Sequence, residues 1–160
     1  MEASYYIGID ISKGRLDWHL IDARNTELAT GQAANTPKGI NKMIGQWKRA
    51  KTALEELIVC FEHTGPYGLL LATLLEQSGI CYVMVSAAQV QLSLGIRRGK
   101  SDPIDALRLA EYLWRFRDRL SPSRLPSKAL LELRSWLIWR EKLVKMRTAL
   151  ANGIKANTLT

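Results

Sequence analysis

The sequence predicts an α/β domain, a mixed sheet with helices on its faces, followed by a long helical, coiled-coil-like arm. Three observations predict it. The first third alternates short apolar runs with turn residues, as a strand meander does. Two later apolar runs flank a helical segment, an order that implies parallel strands joined by a right-handed crossover. From about Lys128 to about Asn157 the apolar residues take helical spacing and keep it.

The elements follow in order. YYIGIDI, from Tyr5 to Ile11, reads as a buried strand. Leu16, Trp18 and Leu20 alternate with Arg15, Asp17 and His19, the period of a half-buried strand with one face in water. ARN is a turn, and TELATGQAAN a weaker third strand. Thr36 and Pro37 then open a helix as cap and first residue. Its apolar positions are Ile40, Met43, Ile44 and Trp47. Leu57 to Phe61 is a continuous apolar run, expected of a strand buried on both faces, and it ends in Glu62. PYGLLLATLLEQSG is a helix that closes on Gly79, and ICYVMVS is another buried strand. Gly95 and Gly99 flank a basic loop, and a further helix runs from about Pro103. Pro122 and Pro126 break the chain into a linker. In the last helix Trp136, Trp139, Leu143, Met146 and Leu150 have the three-four spacing of a coiled-coil seam. The expected division is a domain over 1–120 and a linker with a dimerisation arm over 121–160.

Composition narrows the function. Of 160 residues, 47% are hydrophobic and 24% charged, as in a soluble globular protein. Lys and Arg number 23 against 15 Asp and Glu, and the net charge of +8 favours an anionic partner, nucleic acid first. Cys60 and Cys81 sit in apolar runs and read as buried thiols of a reducing compartment. No cysteine–histidine cluster has zinc spacing. The first residues lack a signal peptide's basic start and long apolar core, and no run is long enough to span a bilayer, so a cytoplasmic protein is expected.

Four carboxylates call for a reason. Asp10 interrupts a buried run, where an unpaired charge is costly. Glu62 ends a buried strand, and Asp102 and Asp105 stand three apart on one face at a helix start. In an open α/β sheet, function gathers at the carboxyl ends of parallel strands. If the strands of Asp10 and Glu62 are neighbours, their charges repel and call for a cation. Oxygen donors of this kind suit magnesium or manganese, and two such ions form a phosphoryl-transfer clamp. A plainer reading stands beside this one. SDPID is also a good helix start, with Asp102 as cap and Asp105 facing the positive helix end. His63 reads as a structural hydrogen bonder at a strand exit. Lys13, and Arg97, Arg98 and Lys100 of the basic loop, are candidates for phosphate contact or for plain solvation.

The stretches IGIDISKGRLDWHL, FEHTGPYG and RRGKSDPIDALRLAEY together resemble the N-terminal domain of the DEDD transposases of bacterial insertion sequences. This is the "IS one-ten" group, which includes the Piv-type DNA invertases. The resemblance runs from about Tyr5 to Tyr112 and into the long helix. It implies a RuvC-like, ribonuclease-H-like fold. It implies that Asp10, Glu62, Asp102 and Asp105 are the catalytic ligands of Mg2+ or Mn2+, in DNA strand cleavage and exchange. DNA is the implied partner, with an element-encoded guide RNA in some members, and a homodimer or higher homo-oligomer is expected. Full-length relatives carry a C-terminal serine domain. No serine here matches its motif, so the expectation is that this domain is absent and that the chain alone does not recombine DNA. Another class opens similarly, the actin-like ATPases and sugar kinases, and a third reading is a non-catalytic nucleic-acid-binding adaptor that only retains the acidic cluster. The loop ISKGR after Asp10 lacks the glycine-rich phosphate cradle that the kinase-like class uses.

Overall fold

The computed structural model describes residues 3–49, 53–63, 65–94 and 102–158. Three antiparallel strands, β1 (Tyr5–Ile11), β2 (Arg15–Asp22) and β3 (Glu27–Ala34), form the meander. Both turns are fixed by side chains. The Ser12 hydroxyl accepts from the Arg15 amide at 3.1 Å, and Asp22 Oδ1 accepts from the Arg24 and Thr26 amides, each at 2.8 Å. Strand β4 (Leu57–Glu62) then pairs parallel to β1, and β5 (Cys81–Val85) parallel to β4, giving the order β3-β2-β1-β4-β5.

Helices cover both faces. On one face lies α1 (Pro37–Arg49), whose Trp47 meets Trp18 edge-on at 6.1 Å, with α2 (Tyr67–Gln77) beside it. Thr36 caps α1, its hydroxyl accepting from the Gly39 amide at 3.1 Å. Gly79, at φ +68°, ends the α2 segment in the left-handed region that glycine adopts without strain. On the opposite face, Tyr6, Ile21, Ile58, Cys60, Val83 and Val85 pack with Val90 of α3 (Ala87–Leu94) and with Leu109, Ala110 and Leu113 of α4 (Asp102–Phe116).

Three expectations are corrected by the fold. β2 is not half in water: Leu16 through Ile21 are all buried, Asp17 at 2% and His19 at 6% exposure, because α4 packs over the face expected to be wet. Of the two cysteines only Cys60 is buried; Cys81 begins the edge strand and is exposed. Helix α3 stands where the sequence pattern predicts no separate element. Its capping box, Ser86 with Gln89, is fully formed: the Gln89 side-chain oxygen accepts from the Ser86 amide at 3.0 Å, and the Ser86 hydroxyl from the Gln89 amide at 3.3 Å.

Beyond α4, Ser123 pairs with the outer edge of β5. Its amide donates to the Tyr82 carbonyl at 2.8 Å, and its hydroxyl accepts from the Met84 amide at 2.8 Å. The chain separates into two compact units, Met1–Arg124 and Leu125–Thr160. The second contains α5 (Lys128–Thr158), a helix of 31 residues in which Trp136 is 72% and Trp139 58% exposed. No described helix is long and apolar enough to cross a membrane.

Candidate metal centre

The site begins with strand pairing. The parallel β1–β4 ladder ends at Ile9 opposite Phe61, so the next positions, Asp10 and Glu62, stand side by side at the carboxyl ends of the two strands. Both are half-buried, and both belong to the face that α4 covers.

Gly8 decides where α4 lies. A Cβ at Gly8 would overlap the Ala106 carbonyl oxygen and the Ala110 amide nitrogen. The helix backbone therefore crosses directly over Gly8, two residues before Asp10, and this seats Asp105 near the strand ends. The electrostatics agree. Burial pushes the Glu62 carboxyl above the usual carboxylate range, the charges of Asp10 and Asp105 push it further, and the Arg108 guanidinium partly offsets them. Arg108 follows Asp105 by one helical turn and is half-buried.

Of the four predicted acidic residues, Asp10 and Asp105 thus lie within electrostatic reach of Glu62. Asp102 is the first residue of α4, and its side chain lies outside the described residues. Among the described residues, no three His, Cys, Asp or Glu side chains are gathered closely enough to hold a metal ion as they stand. The candidate donors are all carboxylate oxygens whose charges repel, a set that would fit a hard divalent cation better than a soft one. Lys13 is exposed at the tip of the β1–β2 turn. Arg97, Arg98 and Lys100 lie outside the described residues. The exposed His63 extends the ladder, its amide donating to the Val85 carbonyl at 2.9 Å.

Two residues at the site escape a reading of the sequence, Asp17 and Arg108. A signal for Asp17 is present: a tight turn between Ser12 and Arg15 puts Asp17 opposite Asp10 in the hairpin register. For Arg108 the signal is its i+3 spacing to Asp105.

Solved structures share this architecture. RuvC of Thermus thermophilus in complex with Holliday junction substrate aligns at 12% identity over 74% of this chain and 99% of its own, with a TM-score of 0.54. A second T. thermophilus RuvC structure aligns at 12% identity with the same coverage and a TM-score of 0.51. The ethanolamine utilization protein EutJ from Carboxydothermus hydrogenoformans reaches only 0.38, at 13% identity over 62% of this chain and 43% of its own, too low to argue a shared fold. The domain is therefore RuvC-like in fold. Residues 7–160 match the IS110-type DEDD transposase family, described as a transposase, and the chain belongs to that family. No curated protein matches the sequence.

Proposed function

We propose that this chain is the metal-binding catalytic domain of a DNA transposase, with Asp10, Glu62, Asp102 and Asp105 as ligands of Mg2+ or Mn2+. The observation that carries this reading is the accumulation of like charge on Glu62 at the carboxyl ends of β1 and β4. Two rigid strands fix Asp10 and Glu62, and α4 brings Asp105 to them. A bound divalent ion supplies Lewis-acid polarisation of a phosphodiester and stabilises charge on its oxygens. Arg108 tempers the repulsion among the carboxylates. Lys13, Arg97, Arg98 and Lys100 neutralise the DNA backbone and set its register. The net charge of +8 supports the same partner. Guide-RNA use and strand exchange with a serine nucleophile from a separate domain rest on the family resemblance, while the working division into a domain over 1–120 and a dimerisation arm over 121–160 rests on the Pro122 and Pro126 linker and the apolar seam beyond it.

The test is titration with Mn2+, followed by the loss of the free-ion EPR signal. Asp10→Asn should stay folded and lose affinity at least roughly tenfold, the scale on which a disturbed ligand shell is felt. Equal Mn2+ binding by a folded variant would sink the reading. DNA affinity should fall steeply with salt, and changing Arg97, Arg98 and Lys100 together to Ala should flatten that slope by about 0.9 for each phosphate no longer neutralised. An unchanged slope would place the phosphate-binding cations elsewhere in the chain.

A further inference from the structure

We propose that Asp17 is a fifth oxygen donor at the divalent-ion site, bound to the ion directly or through one of its waters. This inference rests on the metal reading above and deepens it.

Asp17 is the cross-strand partner of Asp10 in the β1–β2 ladder, and directly opposed residues point to the same face of a sheet. Across the sheet at this level the strands present Gln32, Asp17, Asp10, Glu62 and Val85 in that order. Carboxylates on three adjacent strands thus lie in one row, about 5 Å from strand to strand. Asp105 descends toward the row from α4.

The chemistry of Asp17 is asymmetric. It is 2% exposed, and its Oδ2 accepts a charged hydrogen bond from Arg15 Nε at 2.8 Å. Its Oδ1 is equally buried and meets no hydrogen-bond partner among the described residues. Contact with water does not explain a carboxylate so placed, with one oxygen left over. An unpaired acceptor in a protein interior is costly and is normally retained for a bound water, an ion or a catalytic role. The Arg15 bond holds one oxygen, and the register puts the side chain on the same sheet face as Asp10 and Glu62, where negative charge already gathers. A divalent cation is the species that such an oxygen and such a charge both select.

The competing explanation is structural: Asp17 exists to pair with Arg15 and fix the hairpin. Mn2+ titration of the 160-residue chain separates the two. Asp17→Asn should raise the Mn2+ dissociation constant at least roughly tenfold, while Arg15→Gln, which keeps the carboxylate, should leave it unchanged or lower it. An unchanged constant in folded Asp17→Asn overturns the proposal, and so does an Arg15→Gln loss equal to that of Asp17→Asn. If Asp17→Asn fails to fold, crystals of the unaltered chain soaked with Mn2+ decide. Anomalous density must then lie within direct or one-water reach of Asp17 Oδ1; an ion held by Asp10 and Glu62 beyond that reach overturns it. Absence of Mn2+ binding by the unaltered chain overturns the metal reading and this inference together, whereas a silent Asp17→Asn beside a responsive Asp10→Asn overturns this inference alone.

Discussion

At Glu62, burial and charge oppose ionisation together. Desolvation and the neighbouring Asp10 and Asp105 raise its pKa in the folded chain, against the pull of Arg108. The folded state therefore holds the Glu62 proton more tightly than the unfolded state does. Stability is then lost as pH rises from the unfolded pKa to the folded one, and it stays lost above. Glu62→Gln should accordingly raise the melting temperature of the metal-free protein at neutral pH, and the gain should vanish on acidification. Melting curves across pH check this; a variant less stable than the parent at neutral pH would show that Glu62 is favourably paired there. Mn2+ should stabilise the parent more than the variant. Asp10 and Glu62 are legible in the sequence because each breaks or ends an apolar run. For Asp17 the turn signals its place opposite Asp10 but not its burial: its alternation with apolar neighbours implies one wet face, and only the docking of α4 removes that water.

At the scale of elements, the seat of α4 controls how the site is assembled. The atoms that a Gly8 side chain would meet are helix backbone, not the far end of a flexible side chain, so they cannot step aside without moving α4. Gly8→Ala should cost at least about 1–3 kcal/mol, the range for overpacking a core, read as a lower urea midpoint. By displacing Asp105 it should also weaken Mn2+ binding. An unchanged midpoint would mean that α4 is free to lift at little cost. The meander, α1 and α2 can be read from periodicity together with Thr36 and Gly79. Helix α3 cannot be read from periodicity: it has eight residues, and Val90 is its sole fully buried side chain among those described. Its Ser86–Gln89 box is the better signal.

For the molecule as a whole, the apolar seam of α5 bears on assembly. Trp136, Trp139, Leu143, Met146 and Leu150 are all exposed in the single chain. Burying each is worth roughly 1.5–3 kcal/mol, and several together can offset an association cost estimated at about 4–15 kcal/mol. Light scattering should find a dimer or larger assembly for the intact chain. A Trp139→Glu, Leu143→Glu variant should be a folded monomer. A parent already monomeric at high concentration would reject the seam as an interface. The mixed character of the sheet follows from the change between meander and parallel crossover, but the placement of the fourth and fifth strands depends on long-range pairing that local patterns do not encode.

The pairing of Ser123 with β5 has a consequence for solubility. Without it, the Tyr82 carbonyl and the Met84 amide on the sheet's outermost strand would stand open, and an open strand edge is a template for another chain. Two hydrogen bonds from one serine blunt that template. The same residues that lead out of the domain thus act as its selvedge, and wherever Ser123 is peeled away, copies of the sheet gain a route to join edge to edge into aggregates with no fixed size.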